Sequence, residues 1–366
     1  MNQLLIDGRA PARVEQPSSQ DEVAELLLGA DRESQAVIPV GSRLMLGMGD
    51  PPERFDIALE MRGLNRIIEA RQADLTLTTE AGATLQEIDD ALRPLGQHLP
   101  IDPPGGPGHT IGGVLATGLS GPLRMRYGTP RDFLIGLRVA LPDGRLAASG
   151  GRVVKNVSGY DMQKLHLGAL GSLGVIVTAS FKVFPRPRHE RTVTAIPADP
   201  WAAVERALSL ADRPLALEVR SDGRVLARLA GTSAGVARLA AELGWEEASA
   251  ERWTQPQEWD GAVARLGVPP RDLRPVLALL PSGARWWAWP AVGVAYWSGE
   301  LDAERVALAR AAAERGGGSL VLLRAPLELK QQVGAWGARP ATLDWMRRVR
   351  DAFDPRRIIS PGRYLV

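Results

Sequence analysis

The stretch DPPGGPGHTIGGVLATGLSG, residues 102–121, decides the fold of this chain. Its glycines and prolines are too dense for a regular element, yet Ile111, Val114 and Leu115 predict a short helix inside the loop. Those apolar residues argue against a disordered linker, and the absence of GxGxxG after a strand argues against a Rossmann fold. Glycines bring the backbone within contact of a flat ligand. The stretch therefore predicts a ligand-binding loop.

The residues before this loop alternate helical and strand signals. Ser or Thr followed three residues later by Glu marks a helix N-terminus, as at Ser19 and at Thr84. The run AVIPV at 36–40 predicts a strand, and the alternation at 75–79 predicts a half-buried one. This region is expected to be a small α+β unit.

The residues after the loop are richer in strands. The run at 133–141, a Pro-Asp-Gly turn and 145–148 predict a hairpin, 174–183 predicts a further strand, and PRPR at 185–188 suggests a boundary. Beyond it we expect strands at 191–196, 215–220, 223–229, 286–297 and 319–323, and helices at 199–211, 233–243, 302–315 and 341–353. The stretch before 286 is predicted to be irregular. Helices on one antiparallel sheet follow from this pattern.

Composition bounds the function. At about 100–200 residues per domain, 366 residues predict two or three domains. The net charge of +2 gives no field that would attract nucleic acid, so no nucleic-acid partner is expected. With no Cys, the chain itself carries no disulfide, iron-sulfur cluster or cysteinyl flavin bond. None of its four His has the spacing of a metal site, and no metal is expected.

Two further motifs accompany the glycine-rich loop. PVGSRLMLG at 39–47 places a glycine turn directly after a strand, where converging N–H groups and Arg43 could meet a phosphate. By itself this motif also fits a tight turn with an exposed arginine. The segment 151–183 carries Lys155, Tyr160 and Asp161, each of which could equally be a surface residue.

Together these motifs resemble a known family. TIGGVLATGLSGPLRMRYGTPRDFLIG, VVKNVSGYDMQKLHLGALGSLGVI and the closing FDPRRIISPGRYL are similar to flavoproteins with the FAD-binding (PCMH-type) fold of vanillyl-alcohol oxidase and p-cresol methylhydroxylase. More narrowly, the chain resembles the FAD-binding subunit of bacterial glycolate oxidase. The resemblance implies an α+β fold. Residues 1–187 would form an FAD-binding domain of two α+β subdomains, 188–336 a smaller α+β substrate or partner domain, and 337–366 a segment returning to the FAD domain.

The resemblance also implies site residues. Backbone N–H groups of one loop would hold the FAD pyrophosphate, and this loop is Val40, Gly41, Ser42, Arg43 and Leu44. Contacts along the flavin and ribityl are expected from Pro104, Gly105, His109, Thr110, Gly113, Ala116, Thr117 and Gly118. Contacts near the adenosine and ribityl are expected from Gly171, Gly174, Val175 and Ile176. Because the chain has no Cys and no His in the phosphate loop, we expect FAD to be bound non-covalently.

The resemblance implies flavin-dependent oxidation of glycolate, or of another small 2-hydroxy acid, to the 2-oxo acid. A second FAD-binding glycolate oxidase subunit and an iron-sulfur subunit would be its partners. Lys155 and Tyr160 are the candidate catalytic residues, for orienting the substrate carboxylate or hydroxyl. No His follows His189, so the His and acidic cluster of relatives that oxidise D-2-hydroxy acids is missing.

This departure leaves an alternative open, in which the chain is an electron-relay or structural subunit without substrate oxidation of its own. The ten Trp, all after residue 200, fit a partner-facing surface or a core. The N-terminus lacks a basic region followed by an apolar run, so no signal peptide is expected. The expected location is cytoplasmic, and peripheral at the inner face of the cell membrane through the partners.

Overall fold

The computed structural model describes residues 4–151, 160–248 and 261–366. The helices are α1 (Gln20–Arg32), α2 (Leu85–Leu92), α3 (Ile111–Thr117), α4 (Arg124–Tyr127), α5 (Pro130–Phe133), α6 (Pro200–Ser209), α7 (Ser233–Leu243), α8 (Pro270–Leu277), α9 (Ala303–Arg315), α10 (Leu327–Val333) and α11 (Leu343–Phe353). The strands are β1 (Arg13–Glu15), β2 (Val37–Val40), β3 (Ile57–Glu60), β4 (Ile67–Arg71), β5 (Thr76–Glu80), β6 (Gln97–His98), β7 (Leu134–Ala140), β8 (Leu146–Gly150), β9 (Val175–Lys182), β10 (Phe184–Pro185), β11 (His189–Ala195), β12 (Ala216–Arg220), β13 (Val225–Gly231), β14 (Glu246–Glu247), β15 (Ala262–Gly267), β16 (Arg285–Trp289), β17 (Val294–Gly299) and β18 (Ser319–Arg324). The α+β fold class is confirmed.

The chain forms two compact units. The first comprises Met1–Ser120, Thr129–Pro185 and Ala338–Val366, and the second comprises Gly121–Gly128 and Arg186–Gly337. The chain thus leaves the first unit and returns to it at the C-terminus. The roles assigned to residues 1–187, 188–336 and 337–366 stay predictions.

The first unit contains two larger sheets. In one, β1, β3 and β2 run parallel in that order, and in the other β4, β5, β9, β7 and β8 are antiparallel neighbours. Val23 and Leu27 of α1 pack in one core with Leu59 of β3 and with Ile358 and Ile359 near the C-terminus. Burial of this apolar surface stabilises the unit and fixes the C-terminal segment against β2.

Helix caps explain where the first two helices begin. The Ser19 hydroxyl accepts a hydrogen bond from Glu22 N at 3.2 Å, and the Glu22 carboxylate accepts from Ser18 N at 2.7 Å. Thr84 and Glu87 form the complete reciprocal box at the start of α2. Both predicted helix starts are confirmed.

The strand predicted at 75–79 is confirmed as β5, but the prediction that it is half-buried is wrong. Leu77 and Thr79, which share one face of β5, are fully buried as alternation predicts, but Thr78 on the other face is buried as well. The strand is an inner strand between β4 and β9, and residues on both of its faces are buried. Leu75 is a left-handed turn residue with φ 53°.

The second unit is built on an eight-stranded antiparallel sheet in the order β14-β11-β13-β12-β16-β17-β15-β18. The predicted strand at 286–297 is wrong, because a turn at 290–293 divides it into β16 and β17. The stretch predicted to be irregular contains β15 and α8. Pro270 occupies the first turn of α8, where a missing N–H costs nothing.

The tryptophans divide between the interior and the surface. Trp287, Trp289 and Trp297 are buried in the eight-stranded sheet, whereas Trp345 of α11 is 66% exposed. Within the described ranges, no helix combines the length and the apolar character needed to cross a membrane.

Candidate functional site

A cavity of about 120 Å³ lies in the first unit, where the loop after β2, helix α3 and the turn before β9 meet. Thirteen of the residues predicted to contact FAD line it: Val40, Gly41, Ser42, Arg43, Leu44, His109, Thr110, Gly113, Ala116, Thr117, Gly171, Val175 and Ile176. The structure therefore brings together three segments that are far apart in sequence. We call this space the nucleotide cavity.

The loop after β2 presents backbone donors to the nucleotide cavity. The N–H groups of Ser42, Arg43 and Leu44 have no hydrogen-bond acceptor among the described residues. The Ser42 hydroxyl accepts from Thr110 N at 3.3 Å, which ties this loop to the start of α3. Consecutive unpaired N–H groups form an anion-binding concavity. The loop can therefore receive a phosphate group.

Arg43 has an unusual backbone conformation for its residue type. Its φ is 63°, in the left-handed region that favours glycine. Its guanidinium forms an ion pair with Glu60, whose side chain is 12% exposed. The arginine therefore adds a cation to the rim of the nucleotide cavity, beside a carboxylate that partly neutralises it.

Two glycines permit the close approach of these segments. A Cβ built on Gly41 would lie 2.1 Å from Thr110 Oγ1, and one on Gly112 would lie 2.9 Å from both Ala81 Cβ and Ala81 O. Thr110 Oγ1 itself accepts from Gly113 N at 3.3 Å and caps α3. Larger side chains at either glycine would push the walls of the nucleotide cavity apart.

His109 is a buried, neutral histidine in the wall of the cavity. Burial lowers its pKa, and the hydrogen bond to Pro104 O opposes that shift. Since a carbonyl oxygen only accepts, Nε2 donates to Pro104 O at 2.8 Å, and Nδ1 keeps its lone pair. Pro104 and Gly105 are not among the residues that line the cavity, and both lie against this imidazole.

Gly118 and Gly174 also lie outside the cavity lining. Gly118 ends α3 in the left-handed conformation with φ 66°. Gly174, with φ 139°, lies against β7, where an added Cβ would be 3.2 Å from Ala140 O. Both have a backbone role, and their contacts with FAD stay predictions.

Sequence reasoning missed an apolar wall and the C-terminal contribution. Eleven lining residues were not predicted: Ile6, Ile38, Pro39, Met45, Leu46, Met48, Met61, Ala81, Leu170, Ser360 and Arg363. Three of them are methionines, whose flexible thioethers adapt to a flat ligand. Gly112, which also lines the cavity, belongs to the glycines expected to let a flat ligand approach the backbone. Ser360 and Arg363 belong to the closing motif of the resemblance, which could have drawn attention to them. The motif did not show that they lie at the cofactor cavity.

Arg363 fixes the far wall of the cavity. Its guanidinium donates to Asp50 O at 3.1 Å, to Leu46 O at 2.6 Å and to Met48 O, and it lies 3.4 Å from Asp7 Oδ2. Burial lowers its pKa to about 10, and the neighbouring carboxylates oppose that shift, so the group stays protonated at neutral pH. It holds the methionine-rich loop against the C-terminal segment.

The described candidate catalytic residue does not lie at the nucleotide cavity. Lys155 lies outside the described residues. Tyr160 is 91% exposed and does not line the cavity. Asp161 accepts a hydrogen bond from Lys164 Nζ at 2.7 Å, which lowers its pKa. Among residues 4–151, 160–248 and 261–366, no three His, Asp or Glu side chains are grouped to hold a metal ion.

Comparison with known proteins assigns the family. Residues 11–150 match the family described as FAD binding domain. The chain is 33% identical to glycolate oxidase subunit GlcE of Escherichia coli K12 over 315 residues, which cover 83% of this chain and 86% of that protein. The chain belongs to the GlcE family of FAD-binding proteins. This family is one of FAD-dependent oxidoreductases, and FAD is its cofactor.

Two other matches show how far the similarity to known proteins extends. Glycolate oxidase subunit GlcD of Bacillus subtilis 168 is 31% identical over 186 residues, and this chain spans only 40% of its length. The solved structure of alkyldihydroxyacetonephosphate synthase matches 96% of this chain and 77% of its own with a TM-score of 0.70 at 17% identity. That likeness concerns the fold alone, and it confirms the predicted PCMH-type FAD-binding fold.

The residues present at the nucleotide cavity fit FAD. The loop at 42–44 offers N–H donors to a pyrophosphate, and Gly41 and Gly112 leave no room for a side chain where the walls approach each other. The methionine-rich wall offers a soft apolar surface to an aromatic ring. Phosphate donors, close backbone approach and an apolar wall in one cavity are what a dinucleotide requires.

Proposed function

We propose that this chain is the FAD-binding subunit of a glycolate oxidase (glycolate dehydrogenase) complex. The observation that carries the proposal is the match to GlcE, which extends over 86% of that subunit rather than over the cofactor domain alone. The complex would oxidise glycolate, or a related 2-hydroxy acid, to the 2-oxo acid. It would contain a second FAD-binding subunit and an iron-sulfur subunit that accepts the electrons.

In this proposal the chain holds FAD non-covalently. Val40, Gly41, Ser42, Arg43 and Leu44 bind the pyrophosphate through N–H groups and one cation. The remaining predicted contacts, Pro104, Gly105, His109, Thr110, Gly113, Ala116, Thr117, Gly118, Gly171, Gly174, Val175 and Ile176, surround the flavin, ribityl and adenosine. The absence of Cys and the engagement of His109 Nε2 with Pro104 O support non-covalent binding.

When bound, FAD supplies a two-electron acceptor for hydride from the carbon that bears the substrate hydroxyl. The chain's own part is to bind and orient the cofactor and to keep water from it. The buried Met48 and Met61 exclude water from one side of the cavity. His109 stays neutral there, so its Nδ1 can accept a hydrogen bond but brings no charge.

Lys155 and Tyr160 remain the candidates for orienting the substrate carboxylate or hydroxyl. The exposure of Tyr160, away from the nucleotide cavity, favours a second candidate function, in which this chain relays electrons or supports its partner without oxidising substrate. In both versions the chain reaches the membrane only through its partners.

The two versions separate in one experiment. Purified chain, alone and with its partner subunits, is loaded with FAD, and glycolate is added without oxygen while the flavin band near roughly 450 nm is followed. Bleaching in the isolated chain supports catalysis here, whereas bleaching only with partners supports the relay role. FAD binding by neither preparation overturns the proposed function.

Tyr160→Phe tests the catalytic assignment directly. If Tyr160 orients substrate, the variant bleaches more slowly while its FAD affinity is unchanged. Equal bleaching rates for the variant and the wild-type chain remove Tyr160 from the mechanism.

A further inference from the structure

The C-terminal segment from Asp354 to Arg363 is held rigidly against the cofactor domain. The Asp354 carboxylate accepts hydrogen bonds from Ile358 N at 3.0 Å and Ile359 N at 2.8 Å. Val37 N of β2 donates to Ile358 O at 2.8 Å. These bonds make the segment an additional partner of the strand that leads into the phosphate loop.

Ser360 is fixed within this segment. Its N–H donates to Val37 O at 2.8 Å, and its carbonyl accepts from Arg363 N at 3.2 Å. Its φ is 50°, a left-handed conformation that serine rarely adopts. Both backbone polar groups of Ser360 are therefore hydrogen-bonded, and the fold sets the direction of its Cα–Cβ bond.

The Ser360 hydroxyl is a buried group without a hydrogen-bond partner among the described residues. The residue is 1% exposed and lines the nucleotide cavity. A Cβ built on Gly171 would lie 3.9 Å from Ser360 Oγ, so the hydroxyl lies beside this glycine. Buried hydroxyls are almost always hydrogen-bonded, because leaving one unpaired is unfavourable.

We propose that the Ser360 hydroxyl is a hydrogen-bonding group of the FAD site, contributed by the C-terminal segment and directed at the ADP half of the cofactor. Two positions favour the ADP half. Ser360 N donates to Val37 O in the strand that leads into the loop that receives the pyrophosphate, and Gly171, beside the hydroxyl, belongs to the turn expected near the adenosine. The inference rests on the proposed binding of FAD in the nucleotide cavity and adds to it a residue of the C-terminal segment.

The proposal has a signature that a structural role would not produce. A hydroxyl that bonds only to the ligand adds nothing to the stability of the ligand-free chain. Its removal should therefore weaken ligand binding. The melting temperature of the ligand-free chain should change only by the amount that comes from placing alanine or glycine at a positive φ.

The test measures dissociation constants for FAD and for ADP by calorimetric titration of the full chain. Ser360→Ala and Ser360→Gly both remove the hydroxyl, and we expect the glycine variant to keep the fold because glycine adopts positive φ without steric cost. The matched control is Ser34→Ala, because Ser34 is exposed, has φ 53° and does not line the cavity. We expect both Ser360 variants to lose about 10- to 100-fold in affinity for both ligands. The control should bind as the wild type does.

The outcomes separate this inference from the proposed function. Wild-type chain that binds neither FAD nor ADP overturns the proposed function itself. Wild-type binding with unchanged affinity in both Ser360 variants overturns the role of the hydroxyl. A loss for FAD with no loss for ADP overturns its direction toward the ADP half.

Discussion

Replacing Gly41 with alanine should damage the fold and the cofactor site together. The new Cβ would lie 2.1 Å from Thr110 Oγ1, 3.2 Å from Thr110 Cβ and 3.3 Å from Thr110 Cγ2. Rotating the threonine gives no relief, because its branched Cβ carries a methyl group into the place of the hydroxyl. Thr110 must therefore move, and with it the cap of α3.

The size of the effect follows from these two losses. Overpacking costs typically about 1–3 kcal/mol, and a lost N-cap hydrogen bond about 1 kcal/mol, so Gly41→Ala should lower the free energy of unfolding by about 2–4 kcal/mol. Urea denaturation, monitored by circular dichroism, measures it. The FAD affinity should also fall, since both residues line the nucleotide cavity.

Two comparisons make the measurement specific. Gly29→Ala is the matched control, because Gly29 lies inside α1 with nothing within 4 Å of its added Cβ, and it should gain up to about 1 kcal/mol of stability. Thr110→Ala removes the two outer atoms of the clash, so Gly41→Ala should cost less in that background. A Gly41→Ala chain with wild-type urea midpoint and FAD affinity would refute the steric reasoning.

Three further outcomes are expected. Burial raises the pKa of Glu87, but hydrogen bonds from Arg62 and from the start of α2 outweigh it and hold the pKa at about 2. With a folded pKa below the ordinary 4.5, its stabilisation is complete above that pH and lost as pH falls toward 2; for this partly exposed pair it amounts to about 1–2 kcal/mol. The free energy of unfolding, measured with urea, should therefore be lower for Glu87→Gln than for the wild type at neutral pH, and the two values should converge in acid. A difference that does not change with pH would contradict this coupling of stability to the Glu87 titration. Arg350→Met should cost about 3–5 kcal/mol in urea unfolding, because Asp354, 3.9 Å away and fully buried, loses its counter-charge; a loss below about 1 kcal/mol would show that the pair is dispensable. FAD affinity, titrated from about pH 6 to 8, should not follow a histidine titration, because burial lowers the pKa of His109 and keeps the imidazole neutral; a sigmoidal change centred in that range would contradict this assignment.

Local signals in the sequence were sufficient for most elements of the first unit. The starts of α1 and α2 were predictable because a helix N-terminus is stabilised by residues only three positions apart, as Ser19 and Thr84 show. The short helix α3 inside a glycine-rich loop was predictable from its apolar residues alone. The resemblance carried by the glycine motifs gave the fold family, since those motifs encode backbone conformations that few folds require.

Features set by distant neighbours were not predictable. Residues on both faces of β5 are buried, and alternation within five residues cannot show what packs against the second face. The division of β16 from β17 depends on Gly293, where an added Cβ would lie 1.8 Å from Val268 O. The apolar sequence of residues 286–297 contains no sign of this contact between Gly293 and Val268.

The sequence by itself determined the cofactor class, the fold family and thirteen residues that line the nucleotide cavity, because each belongs to a short motif with its own backbone requirement. Only the tertiary structure decided that Ser360 and Arg363 join them. Those two residues lie more than 300 positions from Gly41 in sequence. The core around Ile358 and the hydrogen bonds to Val37 hold their segment at the nucleotide cavity. Proximity of that kind arises from packing between distant segments, which no local pattern encodes.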